Sequence, residues 1–400
     1  MTIKPFCALR PKPDYAQAVA ALPYDVMNTE EARAEAAGNP HSFLHVDKAE
    51  IDLPVDTDPY SPFVYAKAKE NLEKLNGVFV QDGTPNLYIY QLSAYGRIQT
   101  GLAACVSVKE YEQGLIKRHE FTRPDKELDR VNHIKTCGAH TGPIFMAYRE
   151  PSGDHLSPRD LMTQWKNSRA PVYDFTEDEV RHTLWAVDDA QAQEALIQAF
   201  AKIAYFFIAD GHHRNEAARK AADPAVPESW FYLAVLFPHD ELAIMDYNRV
   251  VTDLNGLDTS AFLAAIKNAA KVEKCAMPVK SSHKHEIGMY LENCWYRLTL
   301  EVDGTTIDSL DVSVLQNRIL SPILGINDPK TDKRIDFVGG IRGLKALERR
   351  VNSGEMAVAF AMYPTSMEEL MAVADANQIM PPKSTWFEPK LRSGLLVHKF

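Results

Sequence analysis

The feature that most constrains the fold is a short apolar run, Tyr205-Phe206-Phe207-Ile208-Ala209, that stops at Asp210-Gly211 and leads at once into His212-His213-Arg214. Bulky apolar residues over this length, without polar alternation, read as a strand buried on both faces. Gly211 supplies a tight turn and lets a ligand approach the backbone closely. Asn215 to Ala222 reads as a helix. Strand, glycine turn and helix in direct succession demand a layered fold in which helices cover a sheet.

The rest of the chain repeats that alternation. Asn28 opens a capped helix that ends at Gly38-Asn39-Pro40, and Val64 to Leu75 is a second helix. Strands are expected at Asn86 to Leu92, Gln99 to Val108, Thr183 to Val187, Trp230 to Phe237, Ala243 to Val251 and Trp295 to Val302. Helices are expected at Ala190 to Ala201, Thr259 to Val272, Val312 to Leu320 and Gly343 to Asn352. The last unit is a strand, Met356 to Tyr363, followed by a helix, Ser366 to Ala376. The class is therefore α/β or α+β. Three segments are expected: 1–79 helical and loop-rich, 80–235 a core, and 236–400 a C-terminal α/β domain.

Composition narrows the partners. The 400 residues carry a formal net charge of −10, which argues against a general nucleic-acid binder, because phosphate backbones require clustered positive charge. No apolar run of about 18 residues could span a membrane, and the N-terminus does not resemble a signal peptide. Five scattered cysteines without CxxC spacing suit neither a zinc site nor a disulfide framework, and fit a reducing cytoplasm.

Three constellations could carry chemistry. The first is Asp210 to Arg214. The opening N–H groups of a helix lack intrahelical acceptors and, with the positive helix end, favour an anion such as phosphate. Gly211 permits close approach, His212, His213 and Arg214 add donors, and Asp210 could orient a histidine or hold a metal ion. The second is Lys117-Arg118-His119-Glu120, continued by Thr122, Lys126, Glu127, Asp129 and Arg130. By composition alone this is a solvated charged helix. The third is Pro382-Lys383-Ser384-Thr385, with Lys390 and Arg392 downstream, where a lysine and two hydroxyls could bind phosphate or carboxylate. A surface loop explains it equally well. The stretches Asn39 to His45 and Asp328 to Arg334 mix turn residues with polar groups that could face a ligand, and ordinary loop chemistry explains them about as well.

In this order the three constellations resemble the free serine kinases, which carry a ParB/sulfiredoxin-like fold. That family has a Lys-Pro-His-Glu-type segment, a strand ending in Asp-Gly-His-His-Arg, and near its C-terminus a Gly-Glu strand unit, a helix and Pro-Lys-Thr-Thr. Here the corresponding residues are Lys117 to Glu120, Asp210 to Arg214, Gly354-Glu355 and Pro382 to Thr385, with Arg118 in place of the proline and Ser384 in place of a threonine. The whole chain also resembles a large prokaryotic family of similar length with little assigned function, through Leu22 to Val26, Asn39 to Val46, Lys333 to Gly340 and Lys383 to Gly394.

The resemblance implies a ParB/sulfiredoxin-like phosphate-binding core and phosphoryl transfer to the hydroxyl of free L-serine, giving O-phosphoserine. Glu120 would be the base, with His119, Asp210 and His212 beside it. Gly211, His213 and Arg214 would hold the donor's phosphates, and Lys383, Ser384, Thr385 and Arg130 the substrate. A Mg²⁺ ion is expected on the phosphates, with Asp210 its first candidate ligand. ATP, ADP and pyrophosphate all remain open as donor. The same site run with water would be a phosphoserine phosphatase. ParB-like folds also serve as nucleotide-dependent DNA-binding switches, against which the acidic charge and the lack of a helix-turn-helix weigh. Sulfiredoxin chemistry needs a cysteine in the loop, and this loop has none.

Overall fold

The computed structural model describes residues 1–151, 153, 156–302 and 307–400. Its contacts divide the chain into two compact units, Met1–Leu242 together with Pro389–Phe400, and Ala243–Glu388. Boundaries at 79 and 235 are thus not where the contacts part. The N-terminal segment is built into the first unit: Ile3 pairs with Val106 across antiparallel strands, and Leu9 pairs with Val397 from the chain's far end. Val397 completes an apolar core with Val19, Phe43, Leu44, Val64, Leu72 and Phe79.

Among the described residues the first unit is organised on a nine-stranded mixed sheet. Its order runs Ile116–Lys117, Phe206–Asp210, Ile144–Tyr148, Phe231–Pro238, Arg97–Ser107, Leu87–Ala94, Val180–Val187, Tyr173–Glu177, with Ile3–Lys4 joined to Arg97–Ser107. The apolar run is indeed a buried strand: Phe206, Phe207, Ile208 and Ala209 are all inside. It lies parallel to Ile116–Lys117, with Phe206 opposite Ile116 and Phe207 opposite Lys117. On its other side it lies antiparallel to Ile144–Tyr148, with a register shift between Ile208 and Asp210. A bulge of this kind bends the strand and re-aims the side chains beyond it.

The charged segment departs from expectation. It forms the helix Pro124–Cys137, begun by proline and stopped by Gly138 in the left-handed region, and it buries Glu127, Asp129, Arg130 and His133 as well as Val131 and Ile134. Val131 and Ile134 pack against Ala217 and Ala221 of the helix His212–Ala221. The buried charges are tolerated because each meets a partner. Lys220 pairs with Glu127, the Tyr65 hydroxyl donates to Asp129 at 3.0 Å, and the Arg130 guanidinium lies 4.0 Å from the Tyr24 ring centroid.

The second unit holds a six-stranded antiparallel sheet in the order Lys271–Cys275, Cys294–Thr299, Glu286–Leu291, Val358–Ala361, Tyr247–Val251, Ile335–Gly339. The expected single strand Ala243 to Val251 is broken at Asp246, and its first part, Ile244–Met245, pairs with Trp386–Phe387 instead. The helix expected over Thr259 to Val272 ends at Ala269, and Lys271–Cys275 is a strand. Leu347 and Ala346 of the helix Leu344–Asn352 pack on this sheet with Val250, Tyr290 and Ala359. Strands and helices interleave in both units, so the chain is a mixed α/β protein. No helix among the described residues is long and apolar enough to cross a membrane.

Candidate functional site

The parallel pairing at the sheet edge builds the site. Lys117 and Phe207 are level with one another, so three residues further on Glu120 and Asp210 leave the same end of the sheet. The turn after Asp210 uses Gly211 at φ 94°, ψ 32°, in the left-handed region where a side chain is strained. The Gly211 N–H donates to Asp210 Oδ1 at 2.9 Å. The helix begins at His212, one turn earlier than the sequence suggested. His212, His213 and Arg214 therefore form its first turn, and the first backbone bond inside it runs from Asn215 N–H to the Gly211 carbonyl. The amides of that first turn have no intrahelical acceptor, which is the arrangement that favours an anion.

His119, Glu120 and His212 converge there. The rings of His119 and His212 stand 4.5 Å apart at 89°. The His119 backbone N–H approaches His212 Nε2 at 3.5 Å, and His212 Nδ1 lies 3.7 Å from Glu120 Oε2. A donor facing Nε2 makes that nitrogen the acceptor and places the His212 proton on Nδ1, toward Glu120. Burial keeps both imidazoles neutral: it pushes His119 down to about 4 and His212 well below its ordinary value, His119 adding to the effect. Glu120 is the accessible member, its side chain 43% exposed.

Asp210 is held from another direction. Burial disfavours its charge, but Lys390, at 3.0 Å from Oδ2, and then Arg214 outweigh this and hold the carboxyl well below its usual range. Both oxygens thus have protein partners, Gly211 N–H and Lys390. Among the described residues no cluster of three His, Cys, Asp or Glu suited to a metal occurs, so at most the Asp210 carboxylate, through its remaining lone pairs, would contribute to an ion held mainly by the donor's phosphates. Lys390, downstream of the Pro-Lys-Ser-Thr loop, is thus engaged by a carboxylate.

Behind the loop lies a layer that sequence reasoning missed. Arg214 donates through Nη1 to the Pro143 carbonyl at 2.6 Å, while its Nε meets no hydrogen-bond partner among the described residues. Burial works against its charge, and Asp25, then Asp210, restore it. A cavity of about 30 Å³ adjoins it, lined by Tyr24, Asp47, Arg130, Thr141, Gly142 and Ser393 among others. That is room for a water or two rather than a phosphate. Arg130, expected at the substrate, is instead interior: it is 8% exposed and bonds Asp129 at 2.9 Å. Thr141 donates to Asp47 at 2.6 Å. This layer fixes Arg214 and the helix start. Its sequence signals are the phrase Leu22 to Val26, which contains Tyr24 and Asp25, the phrase Lys383 to Gly394, which contains Ser393, and Arg130 in the charged segment.

His213 accepts the Arg123 backbone N–H at 3.0 Å. Burial lowers its pKa, with Asp25 and Glu127 acting in the opposite direction. Lys383, Ser384 and Thr385 belong to the second unit. Ser384 is buried and its hydroxyl donates to the Pro381 carbonyl at 2.6 Å, holding its own loop. Lys383 adopts φ 58° and places Nζ 5.6 Å from the Tyr247 ring centroid.

Comparison with known proteins gives a family and a set of similar structures. The family described as protein of unknown function (DUF1015) matches residues 3–313. No curated protein matches the sequence. Similar solved structures include a mutant free serine kinase in complex with AMP, 13% identical, covering 73% of this chain and 92% of that one with a TM-score of 0.38. A conserved hypothetical protein from Pyrococcus furiosus is 13% identical over 74% of this chain and 94% of that one, TM-score 0.37. SbnI with a C-terminal truncation, from Staphylococcus aureus, is 10% identical over 73% and 85%, TM-score 0.38.

Proposed function

The chain belongs to the DUF1015 family, and from that premise we propose that its first unit transfers a phosphoryl group to the side-chain hydroxyl of free L-serine. The observation that carries this reading is the half-open Glu120 carboxylate beside the first turn of the helix His212–Ala221. A base accessible to a small acceptor stands next to backbone donors suited to a phosphate, which is the pairing that phosphoryl transfer asks for. Serine as acceptor rests on the motif resemblance of Lys117 to Glu120, Asp210 to Arg214 and Pro382 to Thr385.

In the proposed step the serine oxygen attacks the terminal phosphorus of the donor. The new O–P bond forms, the bond to the donor's bridging oxygen breaks, and Glu120 takes the hydroxyl proton. The amides of the first helical turn, with His213 and Arg214, counter the charge on the transferring group. His212 directs its Nδ1 proton toward Glu120, 3.7 Å away; His119 packs against His212. A Mg²⁺ ion, if bound, would be held by the donor's phosphates, with Asp210 its first candidate protein ligand, and would offset their charge. The donor is ATP, ADP or pyrophosphate. The 43% exposure of Glu120 also admits water as acceptor, which would make the protein an O-phosphoserine phosphatase.

The deciding assay incubates the full chain with L-serine, Mg²⁺ and each donor in turn, and separately with O-phosphoserine and Mg²⁺. Phosphoserine formed from one donor supports the kinase reading, and phosphate released from O-phosphoserine alone supports the phosphatase. No reaction in any arm overturns both.

A further inference from the structure

The second unit contains a cavity to which no function has been given, and two sequence phrases meet at it. The edge strand Ile335–Gly339 carries Phe337 and ends in Gly339-Gly340, from the phrase Lys333 to Gly340. Trp386 immediately follows Pro382 to Thr385. Gly339 suits the close packing of the strand on Trp386: a Cβ there would stand 3.2 Å from the indole and push it back by a few tenths of an ångström. The Tyr247 ring is perpendicular to Trp386 at 5.1 Å and 6.0 Å from Phe337. These three aromatic side chains form one wall of a cavity of about 350 Å³, whose lining also includes Asp336, Arg342, Arg349 and Arg350. That volume lies within the range of roughly 300–1,000 Å³ typical of small-molecule sites.

The charges on this cavity are unequal. Arg350 is answered by Asp336 at 2.5 Å and by Glu355. Arg342 and Arg349 are exposed, and no hydrogen bond or ion pair to either guanidinium is present among the described residues. Three arginines and one aspartate leave the lining at +2 (3 − 1) in a chain whose net charge is −10. Lys383, over Tyr247 at 5.6 Å, adds a further cation beside the aromatic wall. Arginines on the outer face of a helix are commonly only solvated. These two differ in sharing a cavity with an indole and two phenyl-type rings.

We infer that this cavity binds a small planar molecule bearing an anionic group, of the nucleoside monophosphate class. A flat base fits against Trp386 and Tyr247, and the phosphate takes charge-assisted hydrogen bonds from Arg342 and Arg349. The site is complete within the second unit and does not depend on the phosphoryl-transfer reading of Glu120.

The test is photolabelling of the full chain with 8-azido-AMP, with the labelled peptides mapped by mass spectrometry. Label is expected on the segments carrying Tyr247 or Trp386, removed by excess AMP and retained in Glu120→Gln. It should fall by at least about tenfold in the double variant Arg342→Glu/Arg349→Glu, the scale of a lost charge-assisted hydrogen bond. Both positions are exposed, so the variant should keep the wild-type circular dichroism; if it does not, Arg349→Ala alone must give the loss. Competition by ribose 5-phosphate or adenosine should be weaker than by AMP, since each offers half of the recognised chemistry. Labelling confined to the first unit, absent altogether, unprotected by AMP, or unchanged by both arginine variants overturns the proposal.

Discussion

Lys390 places its ammonium 3.0 Å from Oδ2 of Asp210, across 180 residues of sequence. The contact closes the C-terminal tail onto the turn that starts the helix His212–Ala221. It gives each Asp210 oxygen a protein partner, Gly211 N–H and Lys390, and so ties this carboxylate into the order of the turn.

Replacing Lys390 by methionine should therefore loosen the turn and leave Asp210 short of a counter-charge. The expected destabilisation is about 1–3 kcal/mol, below the range for fully buried pairs, because the Asp210 side chain keeps 27% exposure. Lys390 and Arg214 together hold the Asp210 carboxyl low. Its lowered pKa contributes stability that is present above the unfolded value and lost as pH falls through the folded one. With Lys390 gone the Asp210 pKa should rise and part of that contribution vanish at neutral pH. Urea denaturation and an NMR titration of the Asp210 carboxyl would measure both.

Glu120→Gln should keep the fold and lose the chemistry. The side chain is 43% exposed and approaches His212 only to 3.7 Å, so stability should change by less than about 0.5 kcal/mol. Removing a general base costs roughly 10²–10⁴-fold in rate. Thermal unfolding and phosphoserine formation, measured on the same preparation, separate the two effects. A variant with wild-type turnover would remove Glu120 from the mechanism.

Gly211→Ala should damage the site beyond its cost in stability. At φ 94° an alanine pays about 1–2 kcal/mol for the left-handed backbone. Its Cβ would also stand 3.1 Å from the Arg214 guanidinium. A melting-temperature drop of a few degrees, accompanied by a much larger loss of transfer or of phosphate binding, is the expected pattern. Equal and small losses of both would argue that the turn does not meet the anion.

Acid should unfold the first unit early. Burial lowers the pKa of His119 to about 4, His182 to about 3 and His398 to about 4, and also lowers His133, His140 and His212. Unfolded histidines titrate near 6.5. Between that value and about 4 the unfolded chain binds protons that the folded chain refuses, so stability falls with falling pH, by up to about 1.4 kcal/mol per pH unit for each such histidine. Glu150 and Glu241, raised by burial, act the other way, but they are outnumbered. Denaturant midpoints at pH 7 and pH 5 should differ clearly; equal midpoints would mean the buried histidines are already charged or hydrated.

Much of the local structure was readable in advance. Asn28 with Glu31 and Ser366 with Glu369 are capping boxes, recognisable because cap and partner are three residues apart. The apolar run before Asp210 is a strand because four adjacent side chains, Phe206 to Ala209, all require burial; Tyr205, at its start, stays exposed. The charged segment was misread for the converse reason. Glu127, Asp129 and Arg130 look solvated until Lys220, Tyr65 and Tyr24 are brought to them.

What the sequence determined by itself was the set of local units: which stretches become strands or helices, where glycine must turn the chain, and which residues can carry charge to a phosphate. Propensity, capping and periodicity act over a few residues, and those are written in the chain in order. Only the tertiary structure decided that Glu120 and His212 share one sheet end, that Arg130 is interior, that Ser384 holds its own loop, and that Lys390 pairs with Asp210. Those outcomes depend on strand pairing and on buried charges finding partners far away in the chain, where the energy belongs to the pair and neither residue announces it alone.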